Sequence, residues 1–171
     1  MFELKITSLN QAVSLSRKWA TYTISLLDPG IEGYESIKIP VASHGQKLRR
    51  YYFNDITPSE IWNELSYDTE NMKMVTSEQI QDILEFTTSL VSSDKLLVHC
   101  HAGISRSTAV ACGVLCQHGL SPEEAIKHVL SVREQAFPNK YILKLFDEIL
   151  GLENQLVVAH REIYRSKFGN F

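Results

Sequence analysis

Cys100 and Arg106 lie six residues apart in the segment His99-Cys100-His101-Ala102-Gly103-Ile104-Ser105-Arg106-Ser107. A thiol and a guanidinium at this spacing can do chemistry together if the chain between them is tightly curved. The flanks supply that setting. Leu96-Leu97-Val98-His99 is a short apolar run without alternation, as in a strand buried on both faces. Ser105 to His118 reads as a buried helix. A strand–loop–helix junction turns successive backbone N–H groups around a concave anion site at the helix N-terminus. Gly103 permits the curvature. Arg106 can form a bidentate pair with a phosphate held there. The same surroundings favour the thiolate of Cys100, the nucleophilic form. The expected cradle comprises His101, Ala102, Gly103, Ile104, Ser105 and Arg106.

The elements that must position this loop can be read in outline. Phe2 to Thr7 alternates and predicts a first strand. Asn10 to Lys18 predicts a short helix. Tyr22 to Leu27 predicts a second strand, stopped by the turn Asp28-Pro29-Gly30. Leu48 to Phe53 predicts a third. Thr57-Pro58-Ser59-Glu60 carries helix-start signals, predicting a helix to about Leu65 and then a loop from Ser66 to Met74. Thr76 to Val91 has helical spacing. Gly119 reads as the stop of the loop helix. Further helices are expected from Ser121 to Arg133 and from Pro138 to Leu150, and beyond Leu152 a helix that frays. The fold class is α/β: a mainly parallel central sheet flanked by helices, with a helical C-terminal half.

Composition excludes several classes. A chain of 171 residues with 44% hydrophobic and 22% charged residues is ordinary for one globular domain. One domain over 1–171 is expected, with 152–171 as a peripheral helix or tail. A net charge of -3 gives no basic footprint for nucleic acid. The longest apolar run, Ala109 to Cys116, is far short of the ~20 residues of a membrane span. Met1-Phe2-Glu3-Leu4-Lys5 lacks a signal-peptide layout. Three cysteines in a chain of this size read as reduced thiols. The expectation is a cytoplasmic monomer with no membrane and no nucleic-acid partner. No cofactor is expected. Nor is a metal, because His99, Cys100 and His101 crowd one strand end without a second ligand pair.

The loop resembles the signature of cysteine-dependent protein phosphatases, and its Ala-Gly-x-Ser-Arg-Ser form is most similar to the dual-specificity branch. Val132-Arg133-Glu134-Gln135-Ala136-Phe137-Pro138-Asn139 is similar to a segment that follows the loop helix in that family. Ile24-Ser25-Leu26-Leu27-Asp28-Pro29 and Leu48 to Ile56 resemble a compact bacterial and phage tyrosine-phosphatase-like subset. The resemblance implies a phosphomonoester hydrolase acting through a phosphocysteine on Cys100. Phosphorylated proteins or peptides would be its partners: phosphotyrosine, and also phosphoserine or phosphothreonine. It implies that Arg106 follows the charge of the transition state, that Ser107 supports the departing thiolate, and that His99 and Asn139 brace the loop. The alternatives are a phosphatase of RNA 5′-phosphate or phosphoinositide, and a phosphate-binding module with weak turnover. The lysine-free loop interior argues against inositol lipids.

The leaving oxygen needs a proton. Asp55 is the first choice, because it follows a predicted strand directly and strand ends are where parallel-sheet sites assemble. It also matches the aspartate of the resembling subset. Asp68 is the alternative: it lies 32 residues before Cys100, nearer the usual dual-specificity spacing, whereas Asp55 lies 45 before. Asp28 reads as a turn former. Cys112 and Cys116 read as core residues, with a protective disulfide as the less favoured role. Phe137, Tyr51 and Tyr52 are candidate walls for an aromatic substrate. Lys47, Arg49 and Arg50 read as a solvated strand edge rather than a steering patch.

Overall fold

The computed structural model describes residues 1–59 and 72–169. Four strands, β1 (Glu3–Ser8), β2 (Tyr22–Leu27), β3 (Lys47–Tyr52) and β4 (Lys95–Cys100), form one sheet in the order β1-β4-β2-β3. Every pairing is parallel, with Ser8 opposite Cys100 and Ser25 opposite His99. The helices are α1 (Leu9–Lys18), α2 (Ser77–Thr87), α3 (Arg106–Gln117), α4 (Pro122–Val132), α5 (Lys140–Leu150) and α6 (Gln155–Phe168). The α/β class and parallel sheet expected from the sequence are therefore present, and most boundaries shift by only one or two residues. A short 3-10 turn at Ile31–Gly33 was not expected. The helix predicted from Thr57 is described only at Pro58 and Ser59, and the rest of that expectation lies outside the described residues.

Parallel pairing has a direct consequence for the site. All four strands end at the same edge of the sheet, so Ser8, Asp28, Phe53 to Asp55 and Cys100 converge there. β4 lies inside the sheet, which explains its unbroken apolar run. Leu96, Leu97 and Val98 are fully buried. α3 is buried over Arg106 to Leu115, which is why its sequence lacks a polar face. Gly113 lets it approach α5: a Cβ there would sit 2.2 Å from the Phe146 ring.

The helix starts follow their local signals. Thr76 with Gln79 and Ser121 with Glu124 form capping boxes on α2 and α4, each cap worth about 1 kcal/mol. α6 is started differently. The buried carboxylate of Asp147 accepts from the N–H groups of Leu156 and Val157, both at 2.9 Å. α6 then runs to Phe168 without early fraying, burying Leu156, His160 and Tyr164. No helix of the described residues is long and apolar enough to cross a membrane.

Candidate active site

Cys100 ends β4 and is 2% exposed. Its Sγ accepts from the Gly103 N–H at 3.2 Å and lies 3.3 Å from Ser107 Oγ. Either group can donate in that contact. The helix α3 begins at Arg106, and its N-terminal dipole faces the same point.

The loop's polarity is set from outside. Each carbonyl from His101 to Ser105 accepts a bond from a surrounding group. The Leu9 N–H reaches His101 O at 3.1 Å. Arg133 donates Nη2 to Ala102 O at 3.0 Å and Nε to Gly103 O at 2.9 Å. The Phe137 N–H reaches Ile104 O at 2.8 Å, and the Ala109 N–H reaches Ser105 O at 3.1 Å. Thr108 Oγ1 donates to Ile104 O and Ser105 O. Carbonyls committed outward leave the amides free to face inward, as the Gly103 amide does toward sulfur. Gly103 itself has φ +71°, and a Cβ there would meet the backbone of Thr7 at 2.5 Å. Any side chain would push the loop off β1.

His99 is fully buried beside the thiol. Its Nδ1 faces Cys100 O at 3.4 Å and its Nε2 lies 2.8 Å from Ser25 Oγ. A carbonyl only accepts, so Nδ1 carries the hydrogen and Ser25 donates to Nε2. Burial pushes the His99 pKa down to about 4, helped by the positive charges of Arg50 and Arg106 and opposed by the bond to Cys100 O. The ring is a neutral brace.

Asp55 comes to the loop. Its Oδ1 accepts from Ser105 Oγ at 2.7 Å and from Asn139 Nδ2 at 2.9 Å. Asn139 also caps α5, its Oδ1 accepting from the Tyr141 and Ile142 N–H groups. One side chain thus ties helix, carboxylate and loop together. Asp68 lies outside the described residues. Asp28 occupies its turn, with Gly30 at φ 81°, but its carboxylate is not idle: Oδ1 lies 2.9 Å from Arg106 Nη1.

Tyr51 and Tyr52 do not wall the site. The Tyr51 hydroxyl donates to Asp82 Oδ2 at 2.7 Å within the core edge, and the Tyr52 hydroxyl pairs with Glu32. Strand alternation sends the two rings to opposite faces, and both find carboxylates there. Phe137 is 51% exposed and lines a cavity of about 730 Å³ with Asp55, Ser105 and Asn139. Lys47, Arg49 and Arg50 are engaged by Tyr22, Asp82 and Glu32 at the sheet edge. His101 is exposed and lines a separate cavity with Asn10 and Lys38. No cluster of three or more metal-ligating side chains occurs among the described residues.

Sequence reasoning missed two contributors. Arg133 stood inside a recognised segment, yet nothing local marked its guanidinium as the outer clamp of Ala102 and Gly103. The carboxylate of Asp28 was masked by a turn motif that explains an aspartate equally well.

The site is a thiol at the carboxyl edge of a parallel sheet, under a loop whose carbonyls are bonded to surrounding groups. Residues 32–148 match the family model "Dual specificity phosphatase, catalytic domain", and the chain belongs to that family. Tyrosine-protein phosphatase yvh1 of Schizosaccharomyces pombe is 28% identical over 167 residues, 95% of this chain; the chain spans 44% of that relative's length. Among solved structures, human DUSP28 superposes with a TM-score of 0.59 at 23% identity, covering 88% of this chain and 94% of the other. A mouse putative dual specificity phosphatase complexed with zinc tungstate gives 0.58 at 22%, covering 90% and 86%. PTPMT1 in complex with PI(5)P gives 0.52 at 19%, covering 96% and 94%. These structural likenesses show the fold.

Proposed function

We propose that the chain hydrolyses phosphate monoesters on proteins, phosphotyrosine first and phosphoserine or phosphothreonine as well, through a phosphocysteine on Cys100. The observation that carries this reading is the thiol held between the Gly103 amide and the Ser107 hydroxyl, beneath a loop whose carbonyls all point outward. The name of the yeast relative, a tyrosine-protein phosphatase, supports the phosphotyrosine part. Exposed Phe137 beside Asp55 offers a face for an aromatic ring.

In the first step the Cys100 sulfur attacks phosphorus and the ester oxygen leaves with a proton. Asp55 supplies that proton. Its Oδ1 is occupied by Ser105 and Asn139, so Oδ2 is the oxygen that carries it. The loop amides and Arg106 bind the equatorial oxygens as their charge shifts. In the second step water attacks the phosphocysteine, Asp55 takes its proton, and Ser107 Oγ donates to the departing thiolate. The cytoplasm, where a nucleophilic thiol stays reduced, is the fitting compartment.

The test uses wild type, Cys100→Ser and Asp55→Asn on p-nitrophenyl phosphate and on phosphotyrosine, phosphoserine and phosphothreonine peptides, with chelator present. Cys100→Ser is expected to abolish turnover, and retained turnover overturns the mechanism. Asp55→Asn is expected to lose rate mainly on the poor alkyl leaving groups, by about 100-fold or more. An Asp55→Asn enzyme that keeps its rate there removes Asp55 as the acid.

A further inference from the structure

Arg106 is 3% exposed, and its guanidinium is held on one side only. Nη1 donates to Phe53 O at 2.7 Å, and Asp28 Oδ1 forms an ion pair with the same nitrogen at 2.9 Å. Nε, although buried, has no acceptor among the described residues. In a planar guanidinium, Nη1 lies on the side of the stem carbon, and the N–H bonds of Nε and Nη2 run parallel on the other edge. That edge is the one that grips two oxygens of a phosphate at once. Pinning Nη1 by two oxygens fixes the plane of the group and leaves the gripping edge free.

We propose that Asp28 is a positioning residue for Arg106, aiming its Nε–Nη2 edge at an oxyanion seated in the loop. The assignment rests on the phosphatase reading of that loop and adds to it a carboxylate that never touches substrate. The physical need is clear. A long side chain with four rotatable bonds loses affinity for phosphate if it must be ordered on binding. Phe53 O alone is one point of attachment and permits rotation about it. The second point, on the same nitrogen, removes that freedom. Asp28 is well placed to be rigid: it directly follows β2, and Pro29 and Gly30 turn the chain immediately after it. Its side chain is 40% exposed, so water screens its charge from the oxyanion while the 2.9 Å contact holds the guanidinium in place.

The experiment compares Asp28→Ala and Asp28→Asn with wild type. Sodium tungstate is the oxyanion probe, measured by titration calorimetry, alongside kcat and KM on p-nitrophenyl phosphate across pH. Asp28→Ala is expected to weaken tungstate binding about tenfold and to lower kcat by up to about 100-fold, the cost of a misaimed group. Asp28→Asn keeps an oxygen within reach of Nη1, and is expected to stay within about threefold of wild type on both readouts, an amide oxygen standing where the carboxylate oxygen was. The alkaline limb of the pH profile, where a general acid loses its proton, should be unchanged in both. Unaltered or tighter tungstate binding in Asp28→Ala overturns the proposal, and so does an Asp28→Asn enzyme as impaired as Asp28→Ala. Loss of that alkaline limb also overturns it, because Asp28 would then be moving a proton. If Asp28→Ala does not fold, Asp28→Ser takes its place, its hydroxyl too short to hold the contact with Nη1. Tungstate binding needs no turnover, so failure of the phosphatase reading, seen as a fully active Cys100→Ser enzyme, is distinguishable from failure of this one.

Discussion

The Asn139 side-chain amide donates to Asp55 Oδ1 at 2.9 Å across eighty-four residues of sequence. The same side chain caps α5 through its oxygen. A single residue therefore sets both the place of the candidate acid and the start of a helix.

Replacing it separates the two roles. Asn139→Asp keeps the cap oxygen but puts a second carboxylate against Asp55. Asn139→Ala loses both functions, and the lost cap is worth about 1 kcal/mol. Thermal melts are expected to show a small loss for Ala and less for Asp. Steady-state rates on alkyl phosphates are expected to fall in both. Wild-type rates in Asn139→Asp would show that the contact with Asp55 carries no catalytic weight.

Arg133 clamps two loop carbonyls with two different nitrogens. A lysine offers one compact donor group and cannot reproduce that fork. Arg133→Lys is expected to lower kcat/KM about tenfold, since freed carbonyls can turn inward and repel the oxyanion. Its melting temperature should change little, because the group is partly exposed. An unchanged kcat/KM would show that the remaining outer donors suffice.

The three cysteines should differ sharply toward alkylation. Burial pushes the Cys112 thiol far above its ordinary range and raises Cys116 to about 12, with Asp147 adding to the latter. Iodoacetamide at neutral pH is expected to modify Cys100 alone, and tungstate should protect it. Mass spectrometry of the labelled chain checks this. Early labelling at Cys112 or Cys116 would contradict their assignment as core thiols and revive a redox role.

Acid should weaken the fold through two histidines. Burial lowers both His99 and His160 from 6.5 to about 4, and Lys140 lowers His160 further. Both His160 ring nitrogens lack hydrogen-bond partners among the described residues, and the ring stacks on Tyr164. The unfolded chain therefore binds protons at pH values where the folded one does not. Stability from this source is complete above about pH 6.5 and declines as pH falls toward 4. Urea midpoints are expected to drop between pH 7 and 4.5, and His160→Phe should flatten the slope. An identical slope in the variant would remove His160 from the account.

The loop was legible because its parts are contiguous. Cys100 to Ser107 is a single strand–loop–helix turn, so type and spacing alone placed the thiol, Gly103 and Arg106 on one curved segment. The strands, the capping boxes at Thr76 and Ser121, and the parallel sheet were legible for the same reason: each is written in a few neighbouring residues. Distant partners were not. Asp28, Asp55 and Asp68 were all carboxylates at a turn or after an element, and local pattern ranked them only by analogy. Parallel pairing decided where two of them went, by bringing the ends of β2 and β3 beside that of β4. Asp55 then met Ser105 and Asn139, while Asp28 met Arg106. Tyr51 and Tyr52 went to opposite faces of β3, and Arg133 reached back to the loop across α3 and α4. Such contacts depend on backbone separations that only the closed sheet and its packed helices establish. The sequence determined the chemistry of one loop, and the tertiary structure decided which distant groups hold it in working shape.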